Sequence, residues 1–388
     1  MTDDAILVLN AGSSSIKLAL YRVSGGALAL AWHGMLEEVR TAPHFHATAP
    51  DGSTIADERP ALAPDQATAW VLDWIDEHLG GASLLACGHR VVHGGPDYAE
   101  PVSIDDAVME ELAALVPLAP LHQPVNLEPI RAIRTARSTL LQVACFDTAF
   151  HRGHSPVVNT FALPQRYYAA GVRRYGFHGL SYHYIASQLP KVSPRLARGK
   201  AIVAHLGNGA SLCALDACRS VDTTMGFTAL DGLPMGTRTG QIDPGVLLYL
   251  LEHDGLTVQQ LTDLLYRDSG LKGLSGISND MRTLEQSSES QAKFAIDVYV
   301  HQIAKQTAAL AGSMGGLDGM VFTAGIGEHQ PAIRAAVLEK LAWLGFVLDP
   351  ASNERGGPLL TVPGSSAEAY AIPTDEEHVI AEQTFALS

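Results

Sequence analysis

Apolar and polar positions follow two rhythms along this chain. The runs ILVL (6–9), IKLALYRV (16–23) and ALALAWHG (27–34) are short, apolar and close together, which predicts a meander of strands. Over 65–79 the pattern changes: Trp70, Leu72, Trp74, Ile75 and Leu79 fall at helical spacing. LLACGHRVV (84–92) returns to strand, 105–116 and 124–137 suit helices, and LQVACFDTAF (141–150) is strand-like again before a Pro- and Gly-rich connection. Strands alternating with helices predict an α/β fold.

The second half opens as the first does. AIVAHLGNGASLCALD (201–216) matches AILVLNAGSSSIKLAL (5–20) in kind: an apolar strand, a turn of small donor-rich residues, a second apolar strand. One device used twice at this separation predicts duplicated domains rather than a solenoid of short repeats. A third glycine turn, VFTAGIGEH (321–329), follows a strand and precedes a helix starting near Pro331, and the backbone amides of such turns approach phosphates closely. Two common nucleotide motifs are excluded. His329 and Gln330 stand where a dinucleotide fingerprint needs its third glycine, and the Gly199-Lys200 pair has Pro194 and Ala201 where a Walker A loop needs Gly and Ser or Thr.

Composition narrows the partners. At 388 residues the chain exceeds one ordinary core, which favours two domains. A net charge of -15 without a basic run argues against nucleic acid, and Arg131, Arg134 and Arg137 read as a solvated helix face. Positive charge for an anionic ligand must therefore be local. Cys87, Cys145, Cys213 and Cys218 show neither C-x-x-C spacing nor disulfide density, so a reducing cytoplasm is expected and no zinc site follows from them. Asp3 and Asp4 precede only five apolar residues, and no segment approaches a bilayer span, so neither a signal peptide nor a membrane partner is expected.

Two strand hairpins with phosphate loops and a strand-to-helix glycine turn are similar to the actin and hexokinase architecture. More specifically, LNAGSSSIK (9–17), GHRVVHGG (88–95), PLHQP (120–124), FDTAFH (146–151), YGFHG (175–179), HLGNGAS (205–211), DTTMGFTALDGLPMGTRTGQIDPG (222–245), GLSGISNDMR (273–282), GIGEH (325–329) and PTDEE (373–377) resemble the acetate kinase family, in family order and over essentially the whole chain. The resemblance implies two duplicated actin-like α/β domains, 1–150 plus about 373–388 and 151–372, with mixed sheets flanked by helices and an ATP cleft between them. It implies reversible, Mg2+-dependent transfer of the γ-phosphoryl group of ATP to acetate, giving acetyl phosphate and ADP, with Mn2+ able to substitute, in a homodimer. Propionate or butyrate is the alternative acceptor.

The family's residues carry over one by one. Transition-state stabilisation falls to His178 and Arg238, and carboxylate or phosphate binding to Arg90, whose guanidinium fork suits two parallel bonds to an anion. Asp147 takes the family's acid or base position. A carboxylic acid is already ionised at neutral pH, so positioning explains Asp147 better than proton removal. His122, Val92, Leu121, Phe177 and Ala229 surround the acceptor. The nucleotide falls to Ser13, Ser15 and Lys17, to His205, Leu206, Gly207, Asn208 and Gly209, to Asp280, Met281 and Arg282, and to Gly325, Ile326, Gly327, Glu328 and His329. Asn10 and Glu376 correspond to the metal-associated residues, oxygen donors of the kind Mg2+ prefers.

Plainer readings stand beside these. His89 and His93 are four apart, but Arg90 replaces the Glu of a zinc-protease helix. Glu376 and Glu377 equally suit a helix N-terminus. The chain departs from its family at Ala229, usually Pro, and at His329, usually Asn. A sugar or polyol kinase on the same fold would need a true base and a polar pocket, whereas the segments flanking the two arginines are apolar. A non-catalytic nucleotide sensor would not need Arg90, Arg238 and His178 together.

Overall fold

In the computed structural model of the chain, residues 4–12, 15–39, 41–63, 66–120 and 122–388 are described. The chain divides into two compact units, Met1–Ala149 with Asp375–Ser388, and Phe150–Thr374.

The first unit contains β1 (Asp4–Ala11), β2 (Ser15–Ser24), β3 (Ala27–Glu37), β4 (His44–Thr48), β5 (Thr54–Glu58), β6 (Ser83–Val91), β7 (Val102–Ser103) and β8 (Leu141–Phe146). They form one sheet in the order β5-β4-β3-β2-β1-β6-β8-β7. β1 runs antiparallel to β2, with Asn10 opposite Lys17, and parallel to β6, which is parallel to β8. Ala5 to Leu9 are all buried, which is why β1 reads as an unbroken apolar run rather than an alternation. The helices Ala67–His78, Gln123–Ala136 and Glu376–Phe385 belong to this unit. Trp74 anchors the core beneath β3 and β4, meeting Trp32 edge-on at 5.1 Å and Phe45 at 4.7 Å.

The strands read from the apolar runs are present, and the structure adds to them. β4 and β5 form a further hairpin in which Phe45 and Ala47 point into the core. β8 stops at Phe146, one residue before Asp147, and Ala149–His151 is a 3-10 turn instead of more strand. Arg134 pairs with Asp106 and Arg137 with Asp76, at the surface as a solvated stripe requires.

The second unit contains β9 (Lys200–Leu206), β10 (Ala210–Asp216), β11 (Arg219–Thr223), β12 (Gly319–Thr323) and β13 (Glu368–Ala371), in the order β11-β10-β9-β12-β13. β11, β10 and β9 are antiparallel neighbours, while β9, β12 and β13 are parallel. The stretch β3-β2-β1-β6-β8 of the first sheet has the same succession of orientations. The duplication expected from two similar strand hairpins thus extends to five strands. Helices Gly179–Val192 and Ser290–Met314 are the longest of this unit. The glycine turn after β12 differs from expectation: Ala324–His329 is itself helical, and Pro331–Lys340 is a second helix. Among the described residues, no helix is long and apolar enough to cross a membrane.

Gly88 fixes how the C-terminal helix meets the first sheet. A Cβ there would lie 2.1 Å from Thr384 Oγ1 and 2.6 Å from Ile380 Cγ2, so only a glycine lets the helix Glu376–Phe385 close on β6. Gly88→Ala is expected to destabilise the fold by about 1–3 kcal/mol through overpacking. A lowered urea midpoint with unchanged slope is the expected result, and an unchanged midpoint contradicts this packing account.

Candidate active site

The C-terminal ends of β1, β6 and β8 gather one polar cluster. Such strand ends are where open α/β sheets place their ligands. Asn10 lies near the end of β1, Arg90 near the end of β6 and Asp147 just past β8. Arg90 donates from Nε at 3.0 Å and from Nη2 at 2.6 Å to the same oxygen, Asp147 Oδ2, and from Nη1 to Asn10 Oδ1 at 3.4 Å. Asn10 Nδ2 in turn donates to Glu377 Oε1 at 2.8 Å and Glu376 Oε2 at 3.2 Å. Four residues expected in the site, Asn10, Arg90, Asp147 and Glu376, are therefore one network, and Glu377 joins them. Burial opposes the charge on Arg90, but Asp147, Glu376 and Glu377 more than compensate and hold it firmly protonated. Burial pushes the Glu377 carboxyl up, Lys17 draws it down, and Glu376 raises it further. Glu376 and Glu377 are adjacent carboxylates that meet at Asn10 Nδ2, and their oxygens are of the kind a hard divalent cation takes.

Asn126 holds the strand ends in place. Its amide donates to Ala11 O at 2.7 Å while its Oδ1 accepts from Val92 N at 3.0 Å, which ties the end of β1 to the residue after β6. Val92 is buried, and His122 is the residue before the helix Gln123–Ala136. Ser15 opens β2, two residues before Lys17. Ser13 and Leu121 lie outside the described residues. His89 is buried against Gln142, and burial lowers its pKa to about 4, which accounts for it as a neutral core histidine.

In the second unit, His178 sits in the left-handed region with φ 57°, a conformation that a side chain other than glycine seldom adopts. The strain is held by its partners. His178 Nδ1 is 2.8 Å from Ser211 Oγ, and its ring stacks on His205 at 4.2 Å. His205 is itself oriented by Ser181 Oγ at 2.8 Å. Gly209 lets the imidazole reach the β9–β10 turn, since a Cβ there would stand 3.2 Å from His178 Nε2. Behind the turn, buried His151 donates from Nε2 to Phe177 O at 2.9 Å. Burial and neighbouring His154 bring the His151 pKa down to about 3, so this support is a neutral ring. Phe177 is buried as well.

Asn208 connects the remaining segments. Its carbonyl accepts from Gly236 N at 3.0 Å, and its Oδ1 accepts from Asn279 Nδ2 at 3.2 Å. The loop containing Gly236 also carries Arg238, whose Nη1 donates to Ala229 O at 3.0 Å. Asp280 caps the helix Met281–Gln286 through Arg282 N, Arg282 is exposed and Met281 is buried. Leu206 ends β9 in the core, and Gly207 N bonds across the turn to Gly209 O at 2.9 Å.

The glycine turn Gly325, Ile326, Gly327, Glu328 and His329 is braced from two sides. Ala324 has φ 65°, and Glu328 Oε1 accepts from Ala324 N at 2.8 Å and Thr374 N at 3.1 Å. Arg334, fully buried, donates from Nη1 to Gly327 O at 3.0 Å and Glu328 O at 2.7 Å, and its other nitrogens bond Asn353. His329 is exposed. Asn126, His151, Ser211 and Arg334 were not expected as site residues. Ser211 and His151 carried a signal, their places in HLGNGAS and FDTAFH, while Asn126 and Arg334 carried none.

Residues 5–382 match the Acetokinase family. The acetate kinase of Nitrobacter hamburgensis is 51% identical over 99% of this chain and 96% of its own, and that of Rhizobium meliloti is 48% identical over 99% and 98%. Among solved structures, a propionate kinase from Francisella tularensis superimposes with TM-score 0.89 at 36% identity, covering 99% of both chains. Porphyromonas gingivalis acetate kinase gives 0.85 at 34% identity, covering 100% of both chains. By sequence over nearly its full length, and by fold, the chain belongs to the acetokinase family.

Proposed function

We propose that this member of the acetokinase family transfers the γ-phosphoryl group of ATP reversibly to acetate, forming acetyl phosphate and ADP. The observation that carries the reading is Arg90, a guanidinium fixed by Asp147 beside the oxygen donors Asn10, Glu376 and Glu377. Joining a carboxylate to a polyphosphate brings two anions together, and catalysis must offset that repulsion with cations already in place.

Asn10 and Glu376, with Glu377, would hold Mg2+ or Mn2+, which when bound neutralises charge on the phosphate oxygens. Arg90 orients the acceptor carboxylate with the guanidinium protons that Asp147 leaves over. Asp147 acts as a positioning residue, because its Oδ2 takes two bonds from Arg90 and acetate has no proton to remove at neutral pH. His178 and Arg238 stabilise the charge of the transferring phosphoryl group. Lys17, the β9–β10 turn, the segment around Asp280 and the turn 325–329 bind the nucleotide, with Glu328 and Arg334 keeping the last of these rigid. The family resemblance assigns Val92 and His122 of the first unit, and Phe177 and Ala229 of the second, to the acceptor. The four cysteines are free, as suits a reducing cytoplasm.

The chain is further proposed to form a homodimer. The helix Pro244–Glu252 has the sequence PGVLLYLLE yet buries none of its residues, with Val246 41%, Leu248 58% and Tyr249 55% exposed. An apolar helix face of this kind marks an association surface.

Turnover of ATP with acetate, propionate, butyrate and glycerol, trapping acyl phosphate with hydroxylamine, tests the reaction. Acyl hydroxamate from acetate and none from glycerol is expected, and Arg238→Ala should lower kcat by about 100-fold or more with a smaller effect on KM, the loss of a charged donor worth roughly 3 kcal/mol. Unchanged kcat in that variant removes the proposed role of Arg238. Acceptor size is the next measurement. If Ala229 replaces a proline of the family, as the resemblance implies, it leaves room for one more methylene of acceptor, worth about 0.8 kcal/mol. Propionate is expected within about tenfold of acetate in kcat/KM, a difference near 1.4 kcal/mol, and Ala229→Pro should restore preference for acetate; more than a hundredfold preference in the natural chain contradicts the enlarged pocket. For the dimer, sedimentation of a Leu248→Glu, Tyr249→Glu double variant should show a monomer where the natural chain shows a dimer. A monomeric natural chain rejects the interface.

A further inference from the structure

The edge of the first sheet carries chemistry that the proposed reaction does not use. Register places Glu37 opposite His44, Met35 opposite His46, and His46 opposite Asp57. Cross-strand partners share a face and residues two apart on a strand share it too, so Glu37, His44, His46 and Asp57 are all on one side. The alternate residues Leu36, Phe45 and Ala47 turn into the core and fix that assignment, because a slip of one residue would bury the histidines and expose Phe45. One ligand atom from each of Glu37, His44 and His46 lies within 4.8 Å of the other two, and all three residues are half-buried.

We propose that Glu37, His44 and His46 form a binding site for a late first-row divalent cation, Zn2+ in particular, separate from the oxygen-donor set at Asn10 and Glu376. Two imidazoles and one carboxylate suit Zn2+ and are a poor set for Mg2+, which seeks oxygen. Three protein ligands leave a fourth position for water, so the ion is exchangeable. Tetrahedral bonds of about 2.0–2.1 Å bring donor atoms to roughly 3.3 Å apart, a contraction that side-chain rotation supplies while the strands stay in register. Asp57 completes the arrangement. Its Oδ1 is 2.6 Å from His44 Nε2, which leaves Nδ1 of His44 for the ion and holds the ring's tautomer and orientation, as carboxylates behind metal-bound histidines do. An ion there links β3 to β4 directly and β5 through Asp57, the three outermost strands of the sheet.

The test is equilibrium dialysis of the full-length protein against micromolar Zn2+ in a large excess of Mg2+, followed by metal analysis. The natural chain should retain one more Zn2+ per chain than a His44→Ala, His46→Ala double variant, and Asp57→Asn should weaken retention by about tenfold. Kinase turnover equal to that of the natural chain shows that both variants are folded, since neither alters a residue assigned to the reaction. Co2+ supplies a second readout. Its bound form should show visible d–d absorption of a nitrogen and oxygen site, absent from the double variant. Equal Zn2+ in the natural chain and the double variant overturns the proposal, as does a near-ultraviolet thiolate-to-cobalt band accounting for the retained metal.

Discussion

A guanidinium held among carboxylates is the interaction around which the first unit is arranged. Arg90 is tolerable so near the core only because Asp147 takes two of its bonds and Asn10 a third, with Glu376 and Glu377 adding their fields. An unpartnered charge at that depth would cost several kcal/mol. The partners come from strand ends and from a helix more than two hundred residues away in sequence, so the network exists only once β1, β6, β8 and the C-terminal helix have packed. The charge arrangement is thus a product of the tertiary fold rather than of any local motif.

The second unit meets the same topological problem with different chemistry. Its corresponding strands β9, β12 and β13 carry His205 next to the end, lead into the turn from Ala324 and lead into the segment reaching Thr374. Imidazoles, hydroxyls and backbone amides meet at these places: His205 with Ser181, Ser181 with Thr374, and Glu328 on the amides of Ala324 and Thr374. Duplication supplied two equivalent sets of strand ends. In the first an arginine among carboxylates dominates, and in the second histidines and hydroxyls are fixed by short hydrogen bonds, with Glu328 and Arg334 bracing the turn after β12.

Much of this was legible in the amino-acid sequence, unevenly. The two hairpins could be read because buried β1 and β9 give unbroken apolar runs and their turns are rich in small polar residues. Glu377 could not be distinguished from an ordinary acid at a helix N-terminus, since its meaning lies in Asn10, 367 residues away. Arg334 sits in PAIRAAVLEK, where nothing local separates a buried brace from a solvated arginine. The role of Asn126 is equally hidden, and His151, though it ends FDTAFH, does not reveal its target, because each acts on backbone carbonyls or amides, which every residue possesses. Composition names side chains, but it does not say which backbone groups they will meet.

The borders of the larger sheet have a bearing on solubility. Eight strands would ordinarily present two long rows of unpaired amides and carbonyls, to which another copy could add a strand. Here one border is β7, only two residues long, and the other is β5, whose five residues include Asp57 and Glu58 with their side chains in solvent. Neither offers a flat apolar template. On a chain whose net charge is already -15, both borders resist edge-to-edge aggregation at high concentration, and the sheet that builds the charged cluster does so without becoming a seed for fibres.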